Sequence, residues 1–134
     1  MRHLVAKHAG SQRQDIRIMT PQVDFTPPTN DGNVYEYRYY RTQTGRANDW
    51  MGHFKDIMPV REKYSKNVGI WSTQSPQPNE VSHMWAYESL DARAASRAKV
   101  GADKDWRGFL AKAGSFLVEM NSIVLTPTNY SPAK

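Results

Sequence analysis

The sequence predicts an α+β domain with the element order β-α-β-β-α-β, and three observations carry that expectation. Runs rich in aromatic and β-branched residues stand at 34–41, 68–73, 81–87 and 121–126, each the length of a strand. Apolar residues at helical spacing fill the stretch after the first run, and an alanine-rich helical stretch follows the third. Between the second and third runs lies only Ser75-Pro76-Gln77-Pro78-Asn79, which makes those two a hairpin. Such an order folds as a four-stranded antiparallel sheet, in strand order 4-1-3-2, with two main helices on one face.

The first strand, Val34-Tyr35-Glu36-Tyr37-Arg38-Tyr39-Tyr40-Arg41, ends at the turn signal Thr44-Gly45. Ala47, Trp50, Met51, Phe54, Ile57 and Met58 then recur at intervals of three and four, and Pro59 should kink or tighten that helix before it ends near Tyr64-Ser65. The hairpin strands are Val68-Gly69-Ile70-Trp71-Ser72-Thr73 and Val81–Tyr87. Ser89 is placed to cap the second helix and Gly101 to stop it. Asp103 or Asp105 can cap a further helical piece built on Trp106, Phe109, Leu110 and Ala113. Asn121–Thr126 is the last strand, and residues 128–134 read as a C-terminal tail.

Length and composition narrow the function classes. With 134 residues the chain holds one domain and not two, large enough for a core without staples. Cysteine is absent, which excludes disulfides and thiolate metal sites. No stretch approaches the ~20 apolar residues that span a bilayer, so the expectation is a soluble protein with no membrane span. The net charge of +5 suggests nucleic acid only if the bases cluster. They do not: Lys55-Asp56, Arg61-Glu62-Lys63 and Asp103-Lys104-Asp105-Trp106-Arg107 interleave signs, as solvated faces do. Nucleic acid is therefore not an expected partner.

Residues 1–33 read as an N-terminal arm outside the domain of residues 34–127. They hold Pro21, Pro27 and Pro28 and the turn-prone Thr29-Asn30-Asp31-Gly32-Asn33. The alternation of Ile16, Ile18, Val23 and Phe25 suits a short strand or a segment docked on the domain or on a neighbouring subunit. A mildly basic start makes the arm compatible with a targeting segment, although it lacks the apolar stretch of a secretory signal. The expected compartment is cytoplasmic, or mitochondrial if the arm is such a segment.

A sheet with helices on one side leaves its other face for water, a ligand or a second sheet. Side chains of like parity share a face, so His83, Trp85 and Tyr87 lie opposite Met84 and Ala86. The smaller Met84 and Ala86 are expected under the helices. The bulkier row with polar tips is then expected on the uncovered face, beside Glu36, Arg38 and Tyr40. Large aromatics so exposed on a monomer are unusual, and pairing two such faces gives a homodimer with an enclosed, partly polar space.

Four tracts carry a resemblance. Val34-Tyr35-Glu36-Tyr37-Arg38-Tyr39-Tyr40, Met58-Pro59-Val60-Arg61-Glu62, Val68-Gly69-Ile70-Trp71-Ser72-Thr73 and His83-Met84-Trp85-Ala86-Tyr87-Glu88-Ser89-Leu90 together resemble the NIPSNAP family. Asp103–Trp106 with Phe109-Leu110 continues it, over about residues 34–127. The resemblance implies a ferredoxin-like domain of the dimeric α+β barrel group, whose sheets pair through their uncovered faces. It also implies Glu, aliphatic, Arg along the first strand, where Tyr37 departs from the pattern. Animal members of the family are linked to mitochondria and vesicle traffic, and small bacterial members mostly lack an assigned activity. The wider group includes cofactor-free monooxygenases, haem-binding and haem-degrading enzymes and isomerases, but a shared fold does not transfer chemistry.

Glu36, Arg38, Tyr40, His83, Trp85 and Tyr87 are the expected lining of a cavity, with Arg61 and Trp71 near its rim. His83 suits an acid/base or ligand role, or a structural imidazole satisfied on both nitrogens. Arg61 suits an anchor for an anionic ligand, or a salt bridge from helix to strand. Trp71 and Trp85 are rigid contact surfaces for a pocket or for a dimer core. There is no nucleophile elbow, phosphate-cradling glycine loop or HExxH, and four scattered histidines do not suggest a metal site. No cofactor is expected, with haem through a single histidine left open. Two functions follow: a homodimer binding a small aromatic or apolar molecule, monooxygenase- or isomerase-like, or a non-enzymatic assembly protein whose sheet face is only dimer interface. In either, larger assemblies through the arm are conceivable.

Overall fold

A computed structural model describes residues 14–134, so the expectations placed on residues 1–13 lie outside the described residues. Among the described residues five strands and three helices follow one another: β1 (Ile18–Pro21), β2 (Val34–Thr42), α1 (Ala47–Arg61), β3 (Lys66–Ser75), β4 (Glu80–Tyr87), α2 (Leu90–Ala102), α3 (Lys104–Ala113), a 3-10 turn (Gly114–Phe116) and β5 (Leu117–Leu125). The sheet is antiparallel in the order β1-β3-β4-β2-β5. Its last four strands are the expected 4-1-3-2 arrangement. The arm adds a fifth strand, β1, on the outer edge of β3, where Gln22 N–H and Thr26 N–H continue the contact to the carbonyls of Ile70 and Val68.

Local chemistry explains the boundaries. Gly45 turns the chain after β2 with φ +78°, a left-handed conformation that glycine adopts without steric cost, and its N–H is held by Asn79 Oδ1 at 2.9 Å. Pro59 sits inside α1, and the helix closes two residues later with Glu62 N–H on Met58 C=O. Ser89 caps α2 through Ala92 N–H, as its position suggests. Gly101 does not stop that helix. Asp103 ends it and at once caps α3, accepting from the N–H groups of Asp105 and Trp106. A bulge at 67–69 inserts Val68 into β3, so Val68 and Ile70 are both fully buried, one on each side of the sheet.

The faces are the reverse of those expected from strand parity. Trp85, Tyr87 and Tyr40 join Trp50, Met51, Phe54 and Met58 of α1 and Ala113 of α3 in one buried cluster. His83 lies among the same rings. The row with polar tips therefore lies under the helices. Met84 and Ala86 face the other side with Tyr35 and Tyr37, where Ala133 of the tail packs on Tyr35, Val68 and Ala86. Polar tips did not require an open face, because the helices bring their own polar partners. Arg38 meets Tyr40 OH, Arg61 meets Tyr87 OH, Trp85 Nε1–H meets His83, and Arg93 of α2 meets Glu36. The surface away from the helices is lined instead by Tyr35, Tyr37 and Tyr39 of β2, Trp71 of β3 and Ile123 and Leu125 of β5, with Met19 of β1 against Tyr37 and Ser82. No helix among the described residues is long and apolar enough to cross a membrane.

Candidate functional site

Between the sheet and α2 stands a carboxylate held by arginines. Glu36 projects from the middle of β2 and its side chain is wholly buried. Arg93 grips it from α2 with two hydrogen bonds, Nε to Oε2 at 2.8 Å and Nη2 to Oε1 at 2.9 Å, the bidentate geometry in which a guanidinium binds a carboxylate best. Arg38, two residues along the same strand and therefore on the same face, donates Nη1–H to Oε1 and Nε–H to Tyr40 OH. Ser122 of β5 donates to Oε1 at 2.7 Å. Arg97, one helical turn after Arg93, reaches only to 3.8 Å and remains 40% exposed.

The electrostatics follow from that crowding. Burial alone would raise the Glu36 carboxyl, but the hydrogen bonds from Arg93, Ser122 and Arg38 outweigh it and hold it down at about 2, against an ordinary 4.5. Arg97 is pushed below its usual value, by burial first and then by the positive charge of Arg38. Tyr40 is raised, because its phenol is buried more strongly than Arg38 can offset.

His83 is the register partner of Arg38 on β4 and is 3% exposed. It is boxed by rings: Phe54 at 4.7 Å between centroids, Tyr40 edge-on at 5.1 Å, Trp85 at 5.6 Å and Trp50 stacked at 6.1 Å. Trp85 Nε1–H donates to its Nδ1 at 2.6 Å. Burial, followed by the charges of Arg38 and Arg61, drives the imidazole pKa well below 6.5, so the ring is neutral at pH 7. A neutral ring that accepts at Nδ1 carries its proton on Nε2, and that buried N–H has no hydrogen-bond partner among the described residues. The ring matches neither expectation for it: it is not exposed to a small molecule, and it is not satisfied on both nitrogens.

Of the eight residues singled out from the sequence, six share this face. Glu36, Arg38, Tyr40, His83, Trp85 and Tyr87 come together, under the helices and not on the uncovered side. Arg61 joins them, but buried at 3% exposure and not at a rim. It makes no salt bridge to the strand: it donates to Ser65 Oγ and Tyr87 OH and lies over the Trp85 ring at 4.3 Å. Trp71 is on the opposite face, against Phe25 of the arm. Arg93, Arg97 and Ser122 were not singled out. The first two have a signal in the sequence, because Arg93, Ser96, Arg97 and Val100 follow the i, i+3, i+4, i+7 spacing of an inward helix face, and Ser96 and Val100 are buried. Ser122 has none.

The helical layer does not extend over β5. Met120 and Val124 pair with Tyr40 and Glu36 and so face the same side, yet they are 54% and 49% exposed. Met120 and Val124 are thus left as an open, shallow apolar trough along β5, next to their buried register partners Tyr40 and Glu36. Among the described residues no group of His, Asp or Glu is arranged to hold a metal ion. An open groove near 400 Å³ runs between Pro27–Asn30 of the arm and Lys66, Tyr87 and Glu88, so that Tyr87 is the one member of this cluster that lines it.

The comparisons with known proteins agree on one family. The family model described as NIPSNAP matches residues 35–132. The NipSnap homolog 3A of Homo sapiens is 30% identical over 125 residues, covering 92% of this chain and 50% of that protein. The NipSnap homolog 3B of Mus musculus is 31% identical over 96 residues, covering 68% and 39%. The chain thus spans half the length, or less, of these curated relatives. A NIPSNAP family protein of unknown function from Agrobacterium tumefaciens superposes with TM-score 0.74 at 27% identity, over 81% of this chain and all of that one. A candidate antibiotic-biosynthesis monooxygenase from Nitrosomonas europaea superposes with TM-score 0.59 at 11% identity, over 84% of this chain and 100% of that one, which shows a common ferredoxin-like fold and nothing more. The match of residues 35–132 together with these relatives places the chain in the NIPSNAP family.

Proposed function

We propose that this NIPSNAP protein is a homodimer in which each subunit binds a small aromatic or apolar molecule on the helix side of its sheet, in the trough beside Glu36, Arg38 and Tyr40. The observation that carries the reading is the uncovered apolar floor of Met120 and Val124 next to convergent polar groups. Binding sites for small molecules have that make-up, apolar walls with a few fixed polar contacts.

A thermal-shift screen of two-ring aromatic compounds tests it. A ligand at one hundred times its Kd adds about 2.7 kcal/mol of stability, a rise of several degrees. Val124→Trp should fill the trough and abolish the shift without unfolding the protein, since Val124 is half exposed. No compound raising Tm, or a shift that survives Val124→Trp, would contradict the reading.

The dimer is assigned to the face away from the helices. Tyr37 and Tyr39 stack there at 5.7 Å, and half-buried Met84 and exposed Ile123 and Leu125 continue the apolar surface. The arm already covers part of it, with Met19 on Tyr37 and the Arg17 guanidinium 4.6 Å over the Tyr39 ring, and Ala133 packs by Tyr35, which leaves Met84, Ile123 and Leu125 for a second copy. Light scattering at micromolar concentration should give twice 15.3 kDa, and Met84→Glu should give the monomer mass. A wild-type monomer at that concentration would sink the assignment.

A further inference from the structure

The arginine cluster is larger than its carboxylate needs. The ion pairs of Arg38, Arg93 and Arg97 all run to the single carboxylate of Glu36. Arg61, a fourth guanidinium within the electrostatic reach of His83, donates to neutral hydroxyls and lies over the rings of Trp85 and Trp106. Three guanidinium groups on one carboxylate leave two positive charges in excess, with Arg61 a further cation near His83, which is neutral. Like charges held side by side repel, least where water reaches them, and an anion arriving at the exposed member of the set would relieve that repulsion.

The surplus is directed to one place. Glu36 is saturated by Arg93, Arg38 and Ser122, and Arg97 makes no hydrogen bond to it at 3.8 Å. Arg97 is also the most exposed of the three, at 40% against 26% for Arg93 and 12% for Arg38. It stands beside Glu36, the register partner of Val124, with its guanidinium partly open to solvent.

We infer that the trough takes a small apolar or aromatic carboxylate, its body over Met120 and Val124 and its carboxylate on Arg97, within the field of Arg38 and Arg93. This rests on the binding site proposed above and adds the charge of what binds there. A planar carboxylate fits the bidentate donors of an arginine, whereas a neutral amide of the same shape offers one acceptor and meets the surplus charge without neutralising it.

The test compares 2-naphthoate with 2-naphthamide, isosteric probes differing in charge, by calorimetric titration of the full chain at pH 7. Naphthoate should bind at least tenfold more tightly than naphthamide, and its affinity should fall as chloride is raised. Arg97→Gln should weaken naphthoate by tenfold or more and collapse the difference between the two probes. In the same variant the ligand-free protein should melt no lower than the parent, because removing a surplus charge relieves repulsion. A structural arginine would behave oppositely, lowering Tm and leaving naphthoate affinity intact, and that result overturns the inference. Naphthamide binding as well as the acid would leave the trough standing and remove its preference for anions. Binding of neither probe would remove both.

Discussion

Replacing Glu36 by glutamine is expected to destabilise the protein by about 3–5 kcal/mol, the range found when one partner of a buried ion pair is removed. The substitution keeps the shape and an acceptor for Ser122, so the loss is one of charge. Arg38, Arg93 and Arg97 would then face one another with no anion among them. Urea unfolding at pH 7 measures the effect, and a variant within 1 kcal/mol of the parent would show that the arginines rearrange freely into water.

The same carboxylate makes the parent acid-sensitive in a defined window. Its pKa is about 2 in the folded protein and 4.5 ordinarily, so between those values the unfolded chain binds a proton that the folded chain does not. Stability from Glu36 is thus fully present above about pH 4.5 and is lost as pH falls towards 2, a change of about 3 kcal/mol at ~1.4 kcal/mol per unit. His83 acts in the same direction from a higher pH. Its depressed pKa means that only the unfolded chain takes a proton just below 6.5, so its share of stability begins to fall there. Glu36→Gln should flatten the lower limb of the pH profile and leave the upper one.

The sequence made the strand order legible because alternation, a short proline turn and helical spacing are local signals. The four strands and their 4-1-3-2 order needed nothing else. Face assignment was different. It turned on whether the polar groups on the face of His83, Trp85 and Tyr87 would find partners beneath the helices, and except for local bonds such as that of Trp85 to His83 those partners are distant in the chain: Arg93 is 57 residues from Glu36, Ser122 is 86, and Arg61 is 26 from Tyr87. No periodicity reports such pairings. The alternating alanines and arginines of α2 look like a solvated helix until Ser96 and Val100 are taken as the buried positions that set its phase. Met84 and Ala86 read as close-packing residues for helices, and they do pack closely, but against the bare side's Tyr35, Val68 and the tail. The bulge at Val68, which puts residues two apart, Val68 and Ile70, on opposite faces, also has no distinctive spacing beyond the neighbouring glycine.

The second large effect is expected at Trp50, the ring that joins the helices to the sheet. It is 2% exposed and packs on Phe54 at 4.5 Å, edge-on to Tyr40 at 5.7 Å, edge-on to Phe109 of α3 at 6.2 Å and flat over His83 at 6.1 Å. Trp50→Ala removes the side chain that all four rings share and should cost about 3–5 kcal/mol. The void left would be lined by aromatic rings, a kind of cavity that stays dry and accepts an aromatic guest. Indole should therefore raise the melting temperature of the variant and leave that of the parent unchanged. If Trp50→Ala instead unfolds with an unchanged midpoint and gives no response to indole, α1 must be held to the sheet by contacts other than this ring. The aromatic box around His83 would then lose its place as the centre of the core.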